Sequence, residues 1–174
     1  MKYCVAVDLT KEPHPSKEVR YEARKAETQG LIVSEVPFSE FKDFYSAIVS
    51  VKKSEETWNE LSKKFFAFLA KKDGVPVSGA AFMPHEKQVY YAMAVTDFAS
   101  PHAQGAGYFL QTEVMKALKK KGYEFYVVGL LAEKGDPKKL QDISAFKEKL
   151  GDLYLVEGEK FPFTSYTPCA GPSR

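Results

Sequence analysis

Gly105-Ala106-Gly107-Tyr108-Phe109-Leu110-Gln111-Thr112-Glu113-Val114-Met115-Lys116-Ala117-Leu118-Lys119-Lys120-Lys121-Gly122 reads as one long helix. Phe109, Leu110, Val114, Ala117 and Leu118 recur at the three- and four-residue spacing that gathers apolar side chains on one face. Three lysines then meet the negative pole of the helix, and Gly122 offers the left-handed stop. The next stretch, Tyr123-Glu124-Phe125-Tyr126-Val127-Val128-Gly129-Leu130-Leu131, is nearly all apolar, the pattern of a strand buried on both faces. A helix that delivers the chain into such a strand belongs to a layered α/β protein.

Upstream, a meander is expected. Phe66–Ala70, Val75–Met83 and Gln88–Thr96 read as strands, joined by turns at Lys71-Lys72-Asp73-Gly74 and Pro84-His85-Glu86-Lys87. Gly79-Ala80-Ala81 leaves little bulk in the middle strand. Before the meander, Tyr3–Leu9 alternates as a strand, and Ser16 can cap a helix that runs to Gly30 with a thin apolar stripe of Val19, Ala23 and Ala26. Leu31–Val36 is a strand. A second helix opens at Pro37-Phe38-Ser39 and turns Phe41, Phe44, Tyr45, Ile48 and Val51 inward. Ser54 caps a third helix, which buries Trp58, Leu61 and Phe65. Downstream, a short helix over Leu140–Leu150 places Ile143, Phe146 and Leu150 inward. A strand at Leu153–Val156 follows, then a last one near Phe161–Tyr166.

The expected fold is therefore α/β (α+β): one domain over residues 1–168, a mixed sheet with an antiparallel meander, helices on both faces, and a loose tail at 169–174. The 174 residues fit one domain, and 44% hydrophobic and 14% aromatic residues suffice for a core. A net charge of +2 lacks the basic excess of a dedicated nucleic-acid binder. No apolar run approaches the ~18 residues of a membrane span, and no secretory leader is legible at the start. Cys4 and Cys169 read as reduced thiols, and a cytoplasmic protein is expected. His14, His85 and His102 are too scattered for a metal site, and no metal is expected.

Four segments carry a family resemblance. Val19-Arg20-Tyr21-Glu22-Ala23-Arg24-Lys25-Ala26-Glu27, Val89–Asp97, Leu110–Tyr126 and Phe146-Lys147-Glu148-Lys149-Leu150-Gly151 resemble, in that order, an early arginine-bearing helix, a central strand, the long helix with its following strand, and a Phe-Lys-x-x-Phe-Gly signature. Together they resemble the FemABX aminoacyl transferases, a group related to the GNAT N-acyltransferases. The resemblance implies a GNAT-like domain that transfers an acyl or aminoacyl group to an amine, as FemABX enzymes add amino acids to peptidoglycan precursors. It also implies aminoacyl-tRNA or acyl-CoA as donor substrate, and no tightly bound cofactor. Family enzymes carry an acidic residue and paired glycines at the end of the buried strand, where this chain has Val127-Val128-Gly129-Leu130. Family enzymes also have two such domains, which leaves a non-catalytic binding domain as the alternative.

Candidate site residues follow. By resemblance Lys147 faces the reacting group and stabilises charge on the acyl or phosphate oxygens. Tyr91, Thr96 and Asp97 lie on or just after the strand that lines the acyl pocket in this fold, with Asp97 a candidate base or simply the start of a turn. Arg20 and Arg24, with planar donors that match phosphate oxygens, are candidates for phosphate binding; the alternative is a solvated face paired with Glu18, Glu22 and Glu27. Gln104, Gly105, Ala106 and Gly107 are the candidate donor cradle, since exposed N–H groups at a helix start favour anions. CoA-using relatives have Arg/Gln-x-x-Gly-x-Gly/Ala there, and this chain has His102 at the first position.

Overall fold

The computed structural model describes residues 1–169. In chain order these form β1 (Lys2–Asp8), α1 (Lys17–Thr28), β2 (Leu31–Val36), α2 (Phe38–Ile48), α3 (Glu55–Ser62), β3 (Phe66–Lys72), β4 (Val75–His85), β5 (Gln88–Thr96), α4 (Ala106–Lys120), β6 (Phe125–Leu130), α5 (Lys138–Glu148), β7 (Asp152–Val156) and β8 (Tyr166–Pro168). The strands make one mixed sheet in the order β2-β3-β4-β5-β6-β1-β7-β8. This is the α/β architecture read from the sequence.

The first strand lies inside the sheet rather than at its edge. β1 runs antiparallel to β6 on one side and to β7 on the other. Val5 and Val7 point to one face, Cys4 and Ala6 to the opposite face, and all four are buried. On the first face α1 and α4 supply Val19, Ala23, Ala26, Phe109, Leu110, Val114 and Leu118 to the main core. On the other, Phe41 of α2 meets Ala67, Leu69, Ala81 and Val95, and Phe38 and Tyr45 pack around Trp58 of α3.

Local chemistry sets the boundaries. The Ser16 hydroxyl accepts from the Val19 N–H and Ser54 from the Thr57 N–H, capping α1 and α3 as expected. At the end of α4, the Gly122 N–H reaches the Lys119 carbonyl and the Tyr123 N–H the Leu118 carbonyl, with Gly122 at φ +88°. That closure occupies Tyr123, so β6 begins only at Phe125.

Three expectations are corrected. The last strand is Tyr166–Pro168, not Phe161–Tyr166, and Phe161 instead stacks on Tyr90. In α5 it is Ser144 that is buried, its hydroxyl accepting from the Ala132 N–H at 2.7 Å, while Ile143 is exposed. α2 ends at Ile48, which leaves Ile48 and Val51 outside the core. The tail read as loose falls, from residue 170 on, outside the described residues; Cys169 donates its N–H to the Leu153 carbonyl. Cys4 lies opposite Tyr154, and Tyr154 opposite Pro168. Two strand spacings of about 4.8 Å thus separate Cys4 from the strand that leads to Cys169, too far for a disulfide. Among the described residues no helix is long and apolar enough to cross a membrane.

Candidate functional site

The sheet opens where β5 and β6 run side by side. Their parallel ladder holds for three pairs only: Gln88 with Phe125, Val89 with Tyr126 and Tyr90 with Val127. Beyond Tyr90 and Val127 the strands part. Each keeps its outer partner, β5 on β4 and β6 on β1, and each carries a bulge just past the fork. On β5 the extra residue is Ala92, between the pairs Tyr91–Phe82 and Met93–Ala81. On β6 it is Val128, between Val127–Ala6 and Gly129–Val5. A bulge bends the strand that holds it, so two facing bulges separate the arms. The opening reaches solvent: Ala94 is exposed, although Val95 beside it and Ala80 across from it are buried. Among the described residues, the β5 backbone groups that face β6 along this arm have no strand to pair with.

Lys147 stands at the base of the fork. Its Nζ donates to the Leu130 carbonyl at 2.8 Å. Gly129, at φ +123°, makes room for it: a Cβ there would lie 3.1 Å from Lys147 Nζ and 3.5 Å from the Tyr90 ring edge and hydroxyl. The ammonium and the phenol thus converge on one glycine. Tyr90 is held by Phe161, stacked at 5.0 Å and 11°. Burial pushes the Lys147 ammonium below its ordinary pKa, with Cys4 opposing. Burial raises Tyr90, and it pushes the Cys4 thiol up to about 11, partly offset by a Gly129 backbone bond and by Lys147.

The first turn of α4 roofs the opening. A Cβ on Gly107 would lie 3.9 Å from Thr96 Oγ1 and 4.0 Å from Ser78 Oγ, two hydroxyls 2.9 Å apart. Tyr108 stacks on Phe146, the neighbour of Lys147, at 5.0 Å and 17°. The turn therefore spans from β5 to α5. Gly105 precedes it at φ +74° and has no side chain to cap the first N–H groups. Its α-carbon rests on α1, where a Cβ would meet the Glu22 carbonyl at 2.6 Å.

Lys147 lies at the base of the fork, Thr96 and Gly107 meet at its roof, Gly105 rests on α1, Ala106 is buried as packing and Gln104 is exposed at the rim. Tyr91 lies on the inner edge of the fork, but its hydroxyl bonds Gln111, which also accepts from Tyr126; burial holds both phenols far above their usual range. Asp97 closes a turn: its Oδ1 accepts from the Ala99 N–H at 3.0 Å. Arg20 and Arg24 are elsewhere. They line a cleft of about 250 Å³ between α1 and α4, with Glu12, Glu27, Phe109, Thr112 and Glu113. The alternative of pairing along the helix does not form: Glu18 binds Lys149 at 2.8 Å, and neither arginine has an ion-pair partner among the described residues. Tyr90, Gly129, Ser78 and Glu22 escaped the sequence reading, because only cross-strand register and helix packing bring them here.

No family model and no curated protein sequence matches this chain. Solved structures do. FemX superposes with a TM-score of 0.72 at 13% identity, over 88% of this chain and 60% of FemX. The C-terminal domain of a protein described as a lysylphosphatidylglycerol synthetase, from Agrobacterium fabrum, gives 0.64 at 19%, over 87% of this chain and 57% of that one. An aminoglycoside acetyltransferase from an uncultured soil sample, in complex with sisomicin, gives 0.51 at 17%, over 75% of this chain and 95% of the enzyme. The chain thus has a FemABX/GNAT-like fold and spans less than two thirds of FemX and of the synthetase domain.

Proposed function

We propose that this chain is an N-acyltransferase that moves an acyl or aminoacyl group onto an amine. The observation that carries the reading is the fork between β5 and β6, with Lys147 Nζ and the Tyr90 hydroxyl converging on Gly129 at its base. The unpaired edge of β5 offers N–H and C=O groups to an extended acyl donor, as a missing strand would. The amine nitrogen attacks the carbonyl carbon, and the carbonyl electrons move onto oxygen. Lys147 spends one N–H on Leu130, so two remain to stabilise that oxyanion, with the Tyr90 O–H beside them. Collapse expels the leaving group, which takes up the proton that the amine loses. Tyr91, tied to Gln111, holds the bulged arm in place.

The donor's handle fits the α1–α4 cleft. Of its three carboxylates, Glu12 is engaged by Lys119 and Glu113 by Lys116, while Glu27, Arg20 and Arg24 have no ion-pair partner among the described residues. Two free guanidiniums one helical turn apart suit the phosphates of a polyanionic donor such as aminoacyl-tRNA. The α4 start suits a CoA pyrophosphate less well, since α1 is packed against Gly105. Both donors belong to the cytoplasm, which is part of the proposal.

The test is transfer of a radiolabelled aminoacyl group from aminoacyl-tRNA, and of acetyl from acetyl-CoA, to a panel of primary amines. The wild-type chain should transfer from one donor and Lys147→Met should not, with both folded. A chain that transfers from neither, and whose melting temperature neither donor raises, is a binding module instead.

A further inference from the structure

We propose that the Glu22 carboxylate receives the ammonium of a substrate at the upper end of the fork; this rests on the transferase reading above. Glu22 Oε2 is shut off from solvent and has no hydrogen-bond partner, the one side-chain atom among the described residues in that position. Buried acceptors in native proteins are almost always paired, so this one calls for an explanation.

The cations among the described residues do not supply a partner. On α1, Glu18 is engaged by Lys149, Lys25 makes no ion pair with Glu22, and Arg20 and Arg24 face the cleft on the other flank. The Glu22 backbone borders the start of α4, the element that roofs the opening. The Glu22 Cβ lies 3.4 Å from where a Cβ on Gly105 would stand, two residues before the Gly107 that covers Thr96 of β5. The N-terminus of α4 is the positive end of its dipole, a favourable neighbour for a carboxylate.

A cationic donor completes such a group. A metal ion is the weaker match, because no cluster of three or more His, Cys, Asp or Glu side chains exists among the described residues. An ammonium needs no cluster: it brings three N–H donors and one charge. The last torsion of a glutamate is soft, so either oxygen can turn toward it. The ammonium has two sources in the proposed chemistry, the acceptor amine before it loses its proton or an amino group on the transferred acyl unit.

Three small probes separate these: propylamine, alanine methyl ester and methyl propanoate, titrated into ¹⁵N-labelled protein while the Gly105, Gly107 and Tyr108 amides are followed. Alanine methyl ester should shift these amides and methyl propanoate should not. Glu22→Gln should weaken the response about tenfold, the worth of one charged hydrogen bond, and keep the wild-type fold by circular dichroism. A matching response to propylamine assigns the site to the acceptor, and a response to the ester alone assigns it to an aminoacyl group. The proposal fails if no ammonium probe moves these amides, or if Glu22→Gln binds as well as wild type. Because binding is read without transfer, a chain that binds ammonium probes yet transfers nothing refutes the transferase reading and leaves the Glu22 site standing.

Discussion

Gly129→Ala tests whether the fork is a built feature or a loose end of the sheet. Gly129 has φ +123°, a region that side-chain-bearing residues rarely enter. Forcing alanine into it costs about 1–3 kcal/mol. The new methyl would also stand 3.1 Å from Lys147 Nζ, so the ammonium must move by a few tenths of an ångström and its 2.8 Å bond to Leu130 must stretch. A hydrogen bond to a charged group is worth about 1.5–3 kcal/mol, and losing part of it brings the total to about 2–4 kcal/mol. At about 2–4 °C per kcal/mol for a chain of this size, the melting temperature should fall by about 4–16 °C. Gly74→Ala is the paired control. It has φ +80°, and no atom lies within 4 Å of an added Cβ, so it bears the backbone strain alone. Equilibrium denaturation of both variants compares a strained glycine that contacts a side chain with one that does not. Transfer should fall in Gly129→Ala and persist in Gly74→Ala. If Gly129→Ala costs no more than Gly74→Ala, the fork relaxes around a methyl, and the argument that Gly129 seats the lysine is wrong.

Three more outcomes are expected. Burial lowers the Lys147 pKa, so between its folded value and the ordinary value of about 10.4 the unfolded chain holds more protons than the native one, and stability rises with pH across that window. Wild type should therefore gain on Lys147→Met between pH 7 and pH 10 in denaturant titrations; a constant difference would show that the ammonium pays no burial penalty. Arg20→Ala and Arg24→Ala lose no ion pair and should shift stability by less than about 0.5 kcal/mol. Each should weaken the binding of a polyanionic donor and flatten its salt dependence, measured by filter binding; unchanged binding would remove the cleft from the donor path. With its thiol pushed up to about 11 and fully buried, Cys4 should resist iodoacetamide at pH 8 in the native chain and react only in denaturant, as peptide mass mapping would show.

The architecture was legible because its signals are local. The 3.6-residue spacing of Phe109, Leu110, Val114 and Leu118, the Ser16 and Ser54 caps, and the apolar run into β6 each act within one element. The errors share one cause, tertiary contact overriding local pattern. Phe161 looked like strand and is instead a ring partner of Tyr90. Ile143 matched the inward spacing of α5, but the helix turns Ser144 to Ala132. The interior place of β1 has no local mark except burial on both faces.

The site was legible in part, and the division is physical. Lys147, Thr96 and the Gly105–Gly107 turn were candidates from the family resemblance, and the fold places Lys147 at the base of the opening and Thr96 and Gly107 at its roof. Tyr90 and Gly129 were not, since their meaning depends on register. Tyr90 and Val127 are the last pair before the strands part, and the residue two beyond Val127 must lack a side chain for the lysine to enter. Arg20 and Arg24 share a helix with Glu22 yet face a different cavity, because α1 crosses α4 with one flank on Gly105 and the next on Phe109. A donor held by its phosphates in the α1–α4 cleft must therefore pass the first turn of α4 to reach Lys147. That path leads by Glu22, Gly107 and Thr96, so a donor that spans it should protect the Gly105–Tyr108 amides from hydrogen exchange as well as those around Arg20. Protection confined to α1 would separate the cleft from the fork and leave the arginines with another ligand.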